Sequence, residues 1–352
     1  MRMRWLTFAL FLALALAACS SLGATSPPTI RASGGTLGSG AGGRAIVIDT
    51  DMAPDDWMAI LFLLARPEID VRAITVTGTG EAHCGPGVTN ARKLTALAGQ
   101  TSIPVACGRD TPMAGTHAFP SEWRAPVDSL LGITLPENTG TTTAGTAVDL
   151  LTSTLSAATE PLTILTLGPL TNVGELLKGK PDAAPKIASI VVMGGAVDVG
   201  GNVYLPNGPA PVAEWNLYVD PTAASIVVGA GIPIILVALD ATNTVPITPA
   251  FASTLAGDAR TASARFVSDV LKARAEFVND GSLSFWDPLA AAIVVDDGIV
   301  AFETRSIRVV TDEGEDSGRT IGSPGTQVRL ALRPDKARFE SLLLASLNEA
   351  GN

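Results

Sequence analysis

From Ala45 onward, short apolar runs alternate with longer segments of helical character. "RAIVID", "VRAITVT", "IPVACG", "LTILTLG", "IASIVVMGG" and "IPIILVALD" read as strands. Between them "DDWMAILFLLAR", "GVTNARKLTALAG", "TAVDLLTSTLSAA", "PLTNVGELLK" and "DPTAASIVVGAG" read as helices. Strands that are apolar along their length are buried on both faces, and alternation with helices makes the sheet mainly parallel. The expected fold is therefore α/β and Rossmann-like, with a central, mainly parallel sheet and helices on both faces. Beyond it, residues 261–280 read as one longer helix and "DPLAAAIVV" as another; "SIRVVTD" and "QVRLAL" read as a strand pair, and "DKARFESLLLASLNEA" as a last helix. Residues 110–140, rich in Pro and Trp, read as a loop. With 47% hydrophobic and 16% charged residues, one large buried core over residues 45–352 is expected, without repeats or a second domain.

The N-terminus has a different character. "MRMR" precedes an apolar run from Trp5 to Ala18, short for a membrane span and ending in small residues, as signal peptides do. Leu16-Ala17-Ala18-Cys19 resembles the lipobox of bacterial lipoproteins, which makes residues 1–18 a signal peptide and Cys19 the lipidated first residue; the alternative is ordinary secretory cleavage nearby. Residues 19–44, rich in Gly, Ser, Thr and Pro, read as a flexible tether. The expected location is outside the cytoplasm, periplasmic or at the cell surface, with membrane contact only through the lipid. In that oxidising setting Cys84 and Cys107 either pair or remain two buried thiols. The net charge of −10, with no basic stripe, argues against nucleic acid and for a small ligand.

Functional residues in such sheets gather at the carboxyl ends of strands. The first strand ends in "DTDMAPDD", which places Asp49, Asp51, Asp55 and Asp56 together. Asp in a first helical turn is favoured by free N–H groups and the helix dipole. Capping explains Asp55 or Asp56 but not Asp49 and Asp51 as well. Clustered carboxylates stay ionised when something positive lies among them, and Ca²⁺ takes six to eight oxygens. Asp-x-Asp after a first strand also opens haloacid-dehalogenase-like phosphotransferases, but those usually carry Thr or Val where this chain has Ala53.

"DTDMAPDDWMAI" resembles the N-terminal signature of the nucleoside hydrolase family, Asp-x-Asp-Pro-Gly-x-Asp-Asp-x-x-Ala-Ile, departing from it at Met52 and Ala53. The likeness recurs in order in "EIDVRAITVTGTG", "LGPLTNVGELL", "IVVMGGAVDVGGN", "VAEWNLYVDPTAA" and "WDPLAA". The resemblance implies calcium-dependent hydrolysis of the N-glycosidic bond of ribonucleosides to ribose and free base. It implies Asp51, Asp56, Asp287 and the Leu167 carbonyl as calcium ligands, with Asp51 the general base on a calcium-bound water. Asp55, Asn202, Glu214 and Asn216 would hold ribose hydroxyls, with Asn207 competing with Asn202, and Asp49 would orient the others from behind. Homo-oligomers are common in the family.

The family's His before the last calcium Asp, which protonates the leaving base, is replaced by Trp286. Trp286 and the Trp of "AEWN" look like the purine-preferring, inosine-adenosine-guanosine branch, whose aromatic rings stack on the base; Trp123 is a candidate for the other face. The family commonly has an Asn near Gly80, where this chain reads Gly80-Glu81-Ala82-His83. His83 is the candidate replacement acid. Two other functions fit the same features: a tethered nucleoside- or sugar-binding lipoprotein without turnover, and a hydrolase of a different N-riboside.

Overall fold

The computed structural model describes residues 43–204, 211–322 and 324–349. The signal, Cys19, nearly all of the tether and Asn207 lie outside the described residues.

β1 (Arg44–Thr50) leads into α1 (Pro54–Leu64), and β2 (Ile69–Val76) into α2 (Cys84–Leu97) and β3 (Val105–Cys107). α3 (Ser121–Asp128) and α4 (Ala147–Ala157) precede β4 (Leu162–Thr166), and α5 (Thr171–Gly179) precedes β5 (Ile187–Met193). α6 (Trp215–Val219) and α7 (Pro221–Gly229) come before β6 (Ile234–Val237). A helical run follows: α8 (Leu239–Thr242), α9 (Pro249–Asp258), α10 (Ala262–Ala273), α11 (Ala275–Asp280) and α12 (Trp286–Val295). β7 (Val300–Val309), β8 (Thr320–Gly322), β9 (Thr326–Pro334) and α13 (Lys336–Asn348) end the chain.

The strands form one sheet in the order β3-β2-β1-β4-β5-β6-β9-β7-β8. It is parallel from β3 to β9. The β7–β9 pair is antiparallel, as "SIRVVTD" and "QVRLAL" suggest, and β8 adds to β7. β1 lies between β2 and β4, so the chain reverses direction of growth there. Ligands of open α/β sheets bind in the crevice at such a switch point.

β1 explains why both sheet faces are covered. Ile46 and Ile48 join an apolar layer with α1, α10, α12 and α13, while Val47 joins the opposite layer with α4, α5 and α7. α1 lies against α12, and every residue of α1 except Asp55 is buried. A helix apolar all round belongs in an interior. Each fully buried Leu, Ile or Phe there contributes about 1.5–3 kcal/mol.

Three expectations are corrected. The 110–140 loop contains α3, a short amphipathic helix whose one buried residue is Val127. The helix expected over 261–280 breaks at Arg274 (φ −106°, ψ 21°) into α10 and α11. In "PLTNVGELLK" the helix starts at Thr171, so Pro169 precedes its first turn. Cys84 and Cys107 are joined by a disulfide, with their Cα atoms 5.6 Å apart.

Candidate active site

The carboxyl end of β1 turns through Met52 at φ 64°, a conformation that costs a bulky residue about 1–3 kcal/mol. Asp56 holds this turn. Its Oδ1 accepts from the Thr50 hydroxyl, from the Asp51 N–H at 3.2 Å and from the Met52 N–H at 3.3 Å. Asp51 Oδ1 accepts from the Ala53 N–H at 3.2 Å, and its Oδ2 from the Glu81 N–H at 3.4 Å. Capping is thus a real role for these acids, but it leaves Asp56 Oδ2 buried with no donor among the described residues.

Asp287, in the first turn of α12, brings a fourth carboxylate to the place where α1 begins. Its Oδ1 is likewise buried with no donor among the described residues, and its carboxyl meets that of Asp56. Asp55, Asp56 and Asp287 each offer an oxygen within 4.8 Å of the others. This trio contains Asp55 where the resemblance implies Asp51. Asp51 adjoins it: its carboxyl meets that of Asp56 while it also accepts from the Ala53 and Glu81 N–H groups. Asp55 alone of these acids keeps some exposure, while Asp51, Asp56 and Asp287 are buried.

Burial, then mutual repulsion, pushes the Asp56 and Asp287 carboxyls well above the ordinary range. Burial raises Asp51 to about 6. Burial and the charge of Asp51 raise Asp55 to about 7. Two helix N-termini, those of α1 and α12, aim partial positive charge at the cluster, which offsets only part of that repulsion. Unpartnered buried carboxylate oxygens with raised proton affinity suit a hard divalent cation, which prefers oxygen donors.

The neighbouring strand ends complete the crevice. The Leu167 carbonyl, just past β4, accepts from Asn216 Nδ2 at 3.2 Å, and the same amide reaches the Met193 carbonyl at 3.2 Å. Glu214 caps α6: it accepts from the N–H groups of Asn216 at 2.9 Å, Gly195 at 3.0 Å and Leu217 at 3.3 Å. Burial still raises it to about 7, and the Asp51 charge adds to that. Asn202 Oδ1 accepts from the Trp215 N–H at 3.1 Å, so it ties its loop to the same helix. Behind the cluster, Asp49 Oδ1 accepts from Thr75 Oγ1 at 2.6 Å and from Asn172 Nδ2 at 2.7 Å.

Gly80 and Gly168 decide how closely two loops approach Asp51. A Cβ at either would collide with the Asp51 side chain. Position 80 therefore passes as bare backbone, and an Asn there would not fit.

The aromatic residues gather beside α6. Trp123 meets Trp215 edge-on at 5.2 Å, Phe119 stacks on Trp215 at 5.3 Å, and Tyr218 meets Trp215 edge-on at 5.7 Å. Trp123 remains 40% exposed. Trp286 opens α12 half-buried, its Nε1 without a partner. The ring of His83, the candidate acid, pairs with the Asp128 carboxylate at 2.7 Å. The other histidine, His117, is held by the Tyr218 carbonyl and Glu313.

The sequence patterns did not point to Arg124. Its guanidinium donates to the carbonyls of Gly78, Ala82 and Glu81 at 3.0, 3.1 and 3.4 Å, fastening α3 over the loop that crosses Asp51. The only signal was an Arg within the polar stretch "SEWRAP".

Fold and site together define a Rossmann-like α/β protein with a carboxylate-lined crevice at the sheet's switch point. A family model described as "Inosine-uridine preferring nucleoside hydrolase" matches residues 46–341, and the chain belongs to that family. It is similar to the pyrimidine-specific ribonucleoside hydrolase RihA of Escherichia coli O1:K1, with 39% identity over 198 residues. That match covers 56% of this chain and 61% of the relative. Among solved structures it is similar to an inosine-uridine preferring nucleoside hydrolase from Bacillus anthracis (25% identity, TM-score 0.77, covering 87% of this chain and 99% of the other). It also resembles a purine-preferring ribonucleoside hydrolase from Gardnerella vaginalis (25% identity, TM-score 0.75, covering 88% and 99%).

Proposed function

We propose that this protein hydrolyses the N-glycosidic bond of ribonucleosides, using a calcium ion held by Asp51, Asp56, Asp287 and the Leu167 carbonyl. The observation that carries the reading is the meeting of the buried Asp56 and Asp287 carboxyls, whose Oδ2 and Oδ1 receive no donor among the described residues, beside Asp51 and Asp55. When bound, the cation supplies Lewis acidity toward water and the ribose hydroxyls. Asp51 takes the proton of the attacking water as general base. Asp55, the least buried acid, accepts from ribose hydroxyls, and Asn202, Glu214 and Asn216 shape the sugar's other side. The acidic walls stabilise positive charge developing on the sugar ring in an oxocarbenium-like transition state.

Purine nucleosides are the proposed substrates, supported by Trp286 and by the Trp123–Trp215 aromatic group. A second reading, pyrimidine nucleosides, is favoured by the printed name of the RihA relative. A panel of inosine, adenosine, guanosine, uridine and cytidine, with free base quantified, tests both. Base release led by inosine or guanosine supports the purine reading; release led by uridine or cytidine replaces it. A folded, calcium-loaded sample that binds nucleosides and releases no base would instead identify a binding protein.

We also propose that the chain acts outside the cytoplasm, anchored through Cys19. The Cys84–Cys107 disulfide suits an oxidising compartment. Palmitate labelling that persists in Cys19→Ala would refute the anchor.

A further inference from the structure

The loop between β2 and α2 is held on two sides. Its N–H groups face Asp51: Glu81 donates to Asp51 Oδ2 at 3.4 Å, and Ala82 donates to the Asp51 carbonyl at 3.0 Å. Gly80 lies so close to the Asp51 side chain that no Cβ fits between them. The loop's carbonyls face α3. Arg124 Nη2 donates to Gly78 at 3.0 Å and to Ala82 at 3.1 Å, so one nitrogen joins both ends of the loop. Arg124 Nε donates to the Glu81 carbonyl at 3.4 Å.

Two successive peptide units are thereby gripped at both ends. The Glu81–Ala82 unit takes Arg124 at its carbonyl and gives its N–H to Asp51. The Ala82–His83 unit takes Arg124 at its carbonyl, and its N–H donates to Asp128 Oδ1 at 2.9 Å. The His83 ring closes on the other Asp128 oxygen, with Nδ1 and Oδ2 2.7 Å apart. Arg124 and Asp128 stand four residues apart in α3 and so share one helix face. Hydrogen bonds to ionised groups are about twice as strong as neutral ones. A guanidinium at a peptide carbonyl also polarises that peptide's N–H toward its own acceptor. α3 buries only Val127, so polar contacts seat it, with Asn90 Nδ2 donating to the Val127 and Asp128 carbonyls at 3.4 and 3.0 Å. Removing Arg124 therefore leaves the apolar core intact.

Resting on the hydrolase reading, we propose that Arg124 and Asp128 are positioning residues for the general base. They clamp residues 78–83, and the Glu81 and Ala82 N–H groups in turn hold Asp51 in line with the attacking water. His83 serves the clamp as the partner of Asp128. Arg124 acts through the loop and through Asp51, so its loss should appear in kcat and depend on Asp51 being present.

The test is a double-mutant cycle joined to amide hydrogen exchange. Wild type, Arg124→Gln, Asp51→Asn and the double variant are assayed at saturating calcium on inosine or uridine, whichever wild type cleaves faster. Arg124→Gln is expected to lose roughly tenfold or more in kcat, with KM changed about twofold at most. In the Asp51→Asn background the same substitution should cost about twofold or less, because substitutions that act through one group do not add. Asp128→Ala should show a smaller loss of the same kind; it lies at a partly exposed position and carries the comparison if Arg124→Gln does not fold. In calcium-free protein, exchange across residues 78–83 should quicken in both variants while the sheet stays protected. Losses that multiply in the double variant, unchanged exchange across 78–83, or quickened exchange with no loss of kcat would each overturn the positioning role. Wild type inert toward both nucleosides would instead remove the hydrolase reading, and this inference with it.

Discussion

Single atoms carry most of the functional reading. Asp56 divides its labour: Oδ1 gathers Thr50, Asp51 and Met52, and Oδ2 receives no donor among the described residues. Asp56→Asn should therefore weaken both the turn and the cation site. The expected result is calcium affinity lowered at least tenfold by calorimetric titration, together with a lower melting temperature. Asp51→Asn should separate the roles, losing roughly 10²-fold or more in kcat as general-base removal does, with a smaller change in stability. Gly80→Ala tests geometry alone, because its Cβ would displace Asp51. A displacement of about 1 Å costs about 10²-fold in rate; unchanged kcat/KM in a folded Gly80→Ala sample would refute the close approach.

Legibility in the sequence follows from how each residue is placed. Asp49, Asp51, Asp55 and Asp56 were readable because one strand end and one helix start put them in a single short segment. Asp287 is remote in sequence, and only the family resemblance linked it to them. Arg124 carried no local pattern, since its meaning comes from the loop the fold sets against it. That Asp128 pairs with His83 was not legible, because 45 residues separate the two in sequence.

At the scale of elements, β1, α1 and α12 do the positioning, and α3 locks the loop above them. Apolar periodicity announced the buried elements. It missed α3, which buries only Val127, and it missed the break at Arg274, which contains neither Pro nor Gly. The disulfide ties the start of α2 to the end of β3 and so anchors the other side of the Gly78–His83 loop. Its sequence separation of 23 residues predicts a contribution of about 3 kcal/mol from restricting the unfolded chain. Replacing both cysteines by serine should lower denaturation stability by about that amount; an unchanged midpoint would contradict it.

For the whole molecule, the buried acids tie stability to pH. Asp49, Asp55 and Glu214 are raised to about 7 and Asp51 to about 6, in each case chiefly by burial. Folded values above the unfolded ones mean that the folded state binds more protons. Stability without metal is therefore full below the unfolded carboxylate range near pH 4 and falls as pH rises toward 7. Chelated protein should melt at a lower temperature at pH 8 than at pH 5, and calcium should narrow the gap. A gap equally wide with and without calcium would show that no cation settles among these acids.

The most direct measurement is a calcium titration of chelated, folded protein, following release of reducing sugar from inosine and uridine. The proposed mechanism predicts negligible release without the ion and a saturable rise as it is added, abolished in Asp287→Asn. Release that is indifferent to calcium and to Asp287, or none at any calcium concentration, would contradict it.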